Sequence, residues 1–276
     1  MIYEKYPEFI NDDPRTERQT SLSYTITKSF TSKRYSAFFD HIDLTDKTIL
    51  DLGSCLSSCG AWVLEKGAKF YQAVEFGEDI RKSAVKNLKK YFNESKWNVY
   101  EGYVEDFFKD NNQQFDIIVA SGIIYCYFNP NEFIDELVAR SDNIILESRN
   151  PTRRWVEEQV FLPLTPKQTR LLEMAPLILG YSRGAPMMHD KGGDYNFTGT
   201  CPTQGYVDSY FELKGYEEDK IVHNKLQETI PNVYNLDRRF GKLYSRVNKN
   251  KIGLGLKDSI KFKNAIVNSN SWRENG

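Results

Sequence analysis

The chain has 276 residues, of which 40% are hydrophobic and 27% charged, and its formal net charge is −1. This length suits one large domain or one domain with a sizeable insertion, and the near-neutral charge gives no general attraction to nucleic acid or membranes. No apolar run approaches the roughly 18 residues of a membrane-spanning helix, and the first residues lack the pattern of a signal peptide. We therefore expect a cytoplasmic protein.

Short apolar runs alternate with helical patterns through the first half of the chain. Strands are predicted near residues 48–52, 70–75, 97–100, 115–122 and 143–147. Amphipathic helices are predicted near residues 33–42, 61–67, 77–92 and 130–138. Such alternation predicts an α/β fold with a mostly parallel sheet covered by helices on both faces, whose ligand binds at the carboxyl ends of the strands.

The alternation stops after the fifth predicted strand. Residues 149–200 are expected to form an inserted substrate cap, with a helix over residues 165–174 and a loop at residues 180–199. A helix near residues 204–214 and strands at 220–223 and 242–247 would then complete a seven-stranded sheet.

The predicted domain boundaries follow from this pattern. They are an N-terminal arm at 1–35, a core at 36–148 and 201–248, the insertion at 149–200, and a basic tail at 249–276.

The first predicted strand ends in Asp51, and Gly53, Ser54 and Cys55 follow it. Small residues directly after a buried parallel strand let the backbone approach a ligand closely, as in nucleoside-binding loops. A second strand ends in Glu75 about 24 residues later, where a carboxylate is suited to accept hydrogen bonds from a ribose. The loop lacks the Lys-Ser/Thr ending of a phosphate-binding P-loop.

Together these features resemble the class I S-adenosylmethionine-dependent methyltransferases, which have a Rossmann-like fold. The run Asp51 to Cys55 is similar to the acid-x-Gly-x-Gly loop of that family, and residues 102–106 and 121–130 are similar to two later segments. The resemblance implies S-adenosylmethionine as the cofactor and methyl transfer as the reaction. It implies cofactor contacts by Asp51, Gly53, Ser54, Cys55, Glu75, Phe76, Val104, Glu105 and Ser121.

The sequence departs from the family pattern at four positions, one of which is Tyr103, where the family usually has an acid before the pair of residues that contacts adenine. Cys55 and Ser57 stand where the loop usually has its second and third glycines, so the positive-φ freedom of glycine is expected to be lost there. Cys126 stands where many relatives have a histidine, so no histidine base is transferred to this position. Because of the substituted glycines, a protein that binds the cofactor without catalysis stays an alternative.

Candidates for catalysis and substrate binding come from the fourth predicted strand and the insertion. Cys126 follows the fourth strand, and His189 lies beside Asp190, where it would act as a general base or belong to an ordinary surface loop. The substrate-binding candidates are Tyr125, Arg149, Arg153 and Trp155. The arginines would bind a carboxylate or phosphate of the acceptor or would be solvated.

A small-molecule or sugar-like acceptor is the leading hypothesis, and RNA modification of the wobble-uridine type is the alternative. Nine basic residues between Arg238 and Lys263 would suit RNA, or they would form a solvated tail. The four cysteines do not have the spacing of a zinc site, so no metal is expected.

Overall fold

The computed structural model describes residues 2–11, 28–127, 129–149, 177–183, 196–231 and 239–247. The strands in these ranges are β1 (Thr48–Leu52), β2 (Phe70–Glu75), β3 (Trp97–Glu101), β4 (Ile117–Ser121), β5 (Asn143–Arg149), β6 (Leu177–Arg183), β7 (Asn196–Pro202), β8 (Tyr216–Asp219) and β9 (Arg239–Arg246). The helices are α1 (Ile2–Lys5), α2 (Glu8–Asn11), α3 (Lys28–Phe39), α4 (Ser58–Glu65), α5 (Glu78–Tyr91), α6 (Val104–Asp110), α7 (Pro130–Arg140), α8 (Gln204–Leu213) and α9 (Lys220–Thr229). Two short 3₁₀ turns span Glu94–Lys96 and Ile124–Cys126.

Seven strands form one sheet in the order β3-β2-β1-β4-β5-β9-β8. Strands β1 to β5 pair in parallel, whereas β9 runs antiparallel to both of its neighbours, β5 and β8. The predicted fold class, a Rossmann-like, mostly parallel seven-stranded sheet, is therefore confirmed. None of the described helices is long and apolar enough to cross a membrane.

Helices cover both faces of this sheet because strand residues alternate between two hydrophobic cores. Ile49, Ile117 and Ile145 belong to the core that also contains residues of α3, α4 and α9. Their neighbours Leu50 and Ile118 belong to the core on the other side, together with residues of α6, α7 and α8. The strands read as nearly continuous apolar runs for this reason, since a parallel sheet is buried on both faces.

The first residues of the chain belong to the core. Tyr3, Tyr6 and Phe9 are buried with residues of α3 and α4, and the Tyr3 hydroxyl donates a hydrogen bond to the Ser58 carbonyl at the start of α4, at 2.7 Å. The part of the predicted arm that spans residues 2–11 is thus an integral layer over α4. Residues 12–27 lie outside the described ranges.

Two elements differ from the sequence prediction. The strand predicted at residues 220–223 is wrong, because a helix, α9, begins there, and the strand β8 ends just before it at Asp219. The Asp219 side chain accepts a hydrogen bond from the backbone N–H of Ile221 at 2.8 Å and so caps the start of α9. The loop predicted at residues 180–199 is wrong at both of its ends, because residues 180–183 belong to β6 and residues 196–199 belong to β7. These strands pair antiparallel, with Gly180 opposite Gly199. Paired glycines looked like loop residues in the sequence. The helix predicted at residues 165–174 lies outside the described part of the chain.

Candidate functional site

The register of the sheet brings the last residues of the parallel strands into one row. Glu75 at the end of β2 pairs with Glu101 of β3, and Ser121 at the end of β4 pairs with Glu147 of β5. Gly53 lies between the two pairs, one residue beyond Leu52, which pairs with both Val74 and Ala120. Ligands of parallel α/β sheets bind at the carboxyl ends of the strands, so this polar row marks the candidate site.

The loop after β1 keeps a glycine-like backbone although it lacks two glycines. Gly53, Cys55 and Ser57 all have positive φ, at 69°, 51° and 57°. The expectation that the two substitutions remove this conformation is therefore wrong. The backbone N–H groups of Gly53 and Ser54 both donate to the Val74 carbonyl, at 3.0 and 3.1 Å, and this fixes the loop against β2.

A glycine is essential in the helix that follows the loop. A Cβ placed on Gly60 would lie 2.4 Å from the ring of Tyr71, so α4 packs against β2 more closely than any side chain permits. The Tyr71 hydroxyl donates to Asp51 Oδ2 at 2.7 Å. Gly60 thereby positions the tyrosine that holds the acid of the loop.

Asp51 is buried beneath the loop. Burial raises the pKa of its carboxyl to about 6, although the Tyr71 hydroxyl and the positive charge of Arg34 both lower it. With its carboxylate engaged by Tyr71, Asp51 is placed to support the loop from below. Its predicted direct contact with a cofactor stays a prediction.

Glu75 is buried and bridges two backbone segments of the site. Its Oε2 accepts from the N–H of Cys55, and its Oε1 accepts from the N–H of Gly77, both at 2.8 Å. Each carboxylate oxygen can accept two hydrogen bonds, so these contacts orient the group and are compatible with acceptance of ribose hydroxyls. The predicted role of Glu75 fits this geometry.

Two aromatic rings extend the site beyond Glu75. The Phe76 and Tyr103 rings stack nearly in parallel, with centroids 5.2 Å apart and planes at 11°, and Tyr103 is 54% exposed. Val104 is buried at the start of α6, whereas Glu105 is exposed. The sequence analysis noted Tyr103 as a departure from the family pattern but did not predict a cofactor contact for it.

The other half of the row lies at the ends of β4 and β5. Glu147 is 1% exposed, and Arg239 Nε donates to its Oε1 at 2.6 Å. The Ser121 hydroxyl donates to Glu147 Oε2, and Arg34 Nη1 lies 3.6 Å from the same oxygen. Glu147 and Arg239 were not predicted as site residues, since each is unremarkable in its own sequence context.

Tyr125 and Cys126 lie in the 3₁₀ turn beyond β4, and both are half-buried. The backbone of β7, the second strand of the β6–β7 hairpin, runs beside this turn. The turn and the hairpin together border the side of the edge that faces away from Glu75.

Comparisons with known proteins agree with this architecture. No family model and no curated protein matches the sequence. Among solved structures, a proposed S-adenosylmethionine-dependent methyltransferase from Listeria monocytogenes is similar, with a TM-score of 0.55, 13% identity, and coverage of 79% of this chain and 99% of that one. The chain has the class I methyltransferase fold.

Two further solved structures share this fold. The magnesium protoporphyrin IX methyltransferase from Synechocystis PCC 6803, which was crystallised with S-adenosylhomocysteine (SAH), gives a TM-score of 0.51 at 11% identity and covers 88% of this chain and 99% of that one. The N-terminal domain of EvdMO1 in the presence of SAH and D-fucose gives 0.51 at 12% identity, over 80% of this chain and 84% of that one.

Several of the predicted substrate-binding and catalytic residues lie outside the described part of the chain. They are Arg153, Trp155 and His189, and the side chain of Arg149 is also outside it, although its backbone ends β5. Their roles stay predictions.

Three of the nine basic residues between 238 and 263 belong to the methyltransferase sheet as residues of β9. Arg239 pairs with Glu147, Lys242 with Asp208 and Glu218, and Arg246 with Asp142. These three cations are engaged within the fold, so they form neither a solvated tail nor a basic RNA footprint.

Proposed function

We propose that the protein is an S-adenosylmethionine-dependent methyltransferase that acts on a small or sugar-like acceptor. The observation that carries the proposal is the buried Glu75 carboxylate, fixed by two backbone N–H groups beside a left-handed loop at the carboxyl edge of a class I methyltransferase fold. These residues fit the cofactor for two reasons. The hydroxyls of its ribose need a hydrogen-bond acceptor in a fixed position, and its methionine part needs a backbone that can approach closely.

We assign the cofactor contacts to the β1–β2 side of the edge. Glu75 would accept the ribose hydroxyls, and Gly53, Ser54 and Cys55 would lie along the methionine part, with Asp51 supporting them. The Phe76 and Tyr103 rings offer a flat apolar face for adenine, which Val104 would complete. Glu105 and Ser121 are proposed to lie at the two ends of this site.

Bound S-adenosylmethionine supplies an activated methyl group on a sulfonium. The chain's own residues need only align the acceptor in line with that group, since displacement at carbon requires no covalent enzyme intermediate. Tyr125 and Cys126 border the acceptor side, and we propose that they line it, together with Arg149, Arg153 and Trp155. His189 and Cys126 are the candidate bases.

A small acceptor is supported by the position of the β6–β7 hairpin. Strand β7 of the hairpin runs beside the turn at Ile124–Cys126, and we infer that it helps to enclose a small substrate. The engagement of three β9 cations inside the fold removes part of the basic stretch that motivated RNA. EvdMO1, a fold neighbour studied with SAH and D-fucose, supports including sugar-like acceptors.

Isothermal titration with S-adenosylmethionine and SAH tests the proposal. We expect both to bind, and we expect Glu75→Ala to weaken SAH binding by at least about 100-fold, because two hydrogen bonds to a charged group are lost with the ribose contacts. Glu78→Ala is the matched control, since Glu78 lies three residues after Glu75 in the sequence and its carboxylate is exposed to solvent. If neither compound binds to the wild-type protein, the proposal is wrong.

A further inference from the structure

The helix α4 begins in an unusual way, directly after the candidate cofactor loop. Its N-cap residue, Ser57, has a φ of 57° and a ψ of 34°, in the left-handed region, whereas N-cap residues ordinarily have extended backbone. The Ser57 side chain makes no capping hydrogen bond within α4. Left-handed backbone is costly for a residue with a side chain and persists only where neighbouring groups enforce it. The groups that contact the start of α4 therefore bear on the shape of the loop.

Two buried tyrosines from different elements meet at Ser58, the first residue of α4. The Tyr3 hydroxyl donates to the Ser58 carbonyl at 2.7 Å, and the Tyr35 hydroxyl and Ser58 Oγ are hydrogen-bonded at 3.3 Å. Both tyrosine rings pack beside Trp62, with ring centroids 6.1 and 6.2 Å from it. Helices α1 and α3 thus hold the backbone and the side chain of the same residue. We name Tyr3 and Tyr35 the tyrosine brace.

The segment that carries Tyr3 is anchored at points distant from the loop. Lys5 Nζ lies 2.8 Å from the carboxylate of Glu65, the last residue of α4. Glu8 accepts a hydrogen bond from Lys90 Nζ at 2.5 Å, near the end of α5. Tyr3 therefore reaches Ser58 from a segment whose other polar contacts do not involve the loop.

Ser58 is directly connected to the part of the loop that contacts Glu75. Only two residues separate Cys55 from Ser58, and the Ser57 N–H donates to the Ser54 carbonyl at 2.8 Å across this tight turn. The Cys55 N–H in turn donates to Glu75 Oε2 at 2.8 Å. A protein whose binding conformation is only partly populated binds its ligand more weakly by that fraction. Loss of a contact at Ser58 would therefore weaken cofactor binding without removing any group that touches the cofactor.

We propose that the tyrosine brace positions the loop for the cofactor. By holding Ser58, it keeps the loop in its left-handed conformation although Cys55 and Ser57 are not glycines. Both tyrosines are positioning residues, since they act through Ser58. The inference rests on the proposed function, because it takes the loop to bind S-adenosylmethionine. It goes beyond that function by assigning a role to the N-terminal segment and by stating what substitutes for the two glycines.

Calorimetric titration of full-length variants with SAH tests this inference. Tyr3→Phe removes only the hydroxyl, and we expect it to lower the affinity for SAH about fivefold, because one neutral hydrogen bond controls the fraction of protein with a competent loop. Tyr35→Phe removes the longer hydrogen bond of the brace and should lower the affinity about twofold. It carries the test if Tyr3→Phe does not fold.

Tyr6→Phe is the matched control for Tyr3→Phe. It removes a hydroxyl from a buried tyrosine of the same N-terminal segment, but this hydroxyl donates to Glu65 Oε2 at 2.5 Å, at the far end of α4. We expect the control to bind SAH within about 1.5-fold of the wild type, even where urea titration shows that it is less stable.

Replacement of Ser57 by glycine distinguishes a brace from general structural support. Glycine adopts left-handed backbone readily, so the brace is less needed in Ser57→Gly. In that background we expect Tyr3→Phe to lower the affinity for SAH by less than about twofold. We also expect Tyr3→Phe to lower the urea midpoint less in Ser57→Gly than in the wild type, and this second readout requires no ligand.

Several outcomes would overturn the inference. Wild-type SAH affinity in both brace variants would do so, as would equal losses of SAH affinity in Tyr3→Phe and Tyr6→Phe. An undiminished effect of Tyr3→Phe in Ser57→Gly would also contradict it. If SAH does not bind to the wild type, the proposed function fails, and the urea midpoints still decide the brace: midpoint shifts of Tyr3→Phe that are the same in both backgrounds would reject it.

Discussion

The two halves of the carboxyl edge are built by different means. On the β1–β2 side, backbone groups dominate: a left-handed loop bonds to Val74, and Glu75 is held by the N–H groups of Cys55 and Gly77. On the β4–β5 side, charged side chains dominate, and Glu147 forms ion pairs with Arg34 and Arg239. A backbone-built half suits a ligand that is always the same, whereas a half built from side chains can change with the acceptor.

Replacement of Glu147 is expected to have the largest effect on stability. Glu147→Gln leaves two guanidinium groups without their buried counter-ion, so we expect the free energy of unfolding to fall by about 3–5 kcal/mol in urea titrations. Glu78→Gln breaks an ion pair whose two side chains are both more than 60% exposed, and it should change stability by less than about 1 kcal/mol. Equal losses of stability in the two variants would show that the buried charge cluster around Glu147 contributes no more to stability than an exposed ion pair.

Asp51 gives a pH-dependent contrast on the β1–β2 side. Because burial raises the folded-state pKa to about 6 from its ordinary value of 3.8, its contribution to stability is full below pH 4 and is lost as the pH rises through 6. Asp51→Asn avoids this loss and keeps an acceptor for Tyr71. We expect the variant to be about 2 kcal/mol more stable than the wild type at pH 8 and no more stable at pH 4.

Urea unfolding of the two proteins at both pH values measures this difference. A variant that is less stable than the wild type at pH 8 would show that the ionised carboxylate contributes favourably through Tyr71 and Arg34.

Tyr103 tests whether side chains also matter on the backbone-built side. Tyr103→Ala removes one of the two stacked rings, and since stacking on a base contributes about 1–3 kcal/mol, we expect SAH affinity to fall about 10-fold. Tyr91→Ala is the control, because Tyr91 is the last residue of α5, at the opposite end of that helix from Glu75, and its hydroxyl bonds to Glu8. An unchanged SAH affinity in Tyr103→Ala would place the adenine elsewhere.

Cys55 provides the smallest expected effect. Its φ of 51° is strained for a residue with a side chain, so Cys55→Gly should raise the free energy of unfolding by about 0.5 kcal/mol after the entropy cost of glycine is deducted. Ser54→Gly, one residue earlier and without positive φ, should lower it by a similar amount. If both variants are destabilised, the left-handed loop carries little strain.

The sequence analysis named more residues of the β1–β2 half of the row than of the β4–β5 half. Asp51, Gly53 and Glu75 lie at or next to the end of a strand. They were found because the apolar pattern of a strand is a local property of the sequence. Arg34, Glu147 and Arg239 come from three elements that are distant along the chain, and only the order β5-β9 in the sheet brings the last two together. Pairing between distant strands has no local signal.

The errors in the fold have equally specific reasons. The strand predicted at residues 220–223 missed the capping role of Asp219. The loss of left-handed backbone at Cys55 and Ser57 was predicted from intrinsic preference, whereas both residues have positive φ in the structure despite the cost of that conformation.

A crystal structure of the protein with SAH tests the central claim most directly. We expect the ribose hydroxyls to lie within hydrogen-bonding distance of the Glu75 carboxylate and the sulfur to face the β4–β5 side of the edge. SAH bound away from Glu75, or a sulfur directed away from the β4–β5 side, would contradict it.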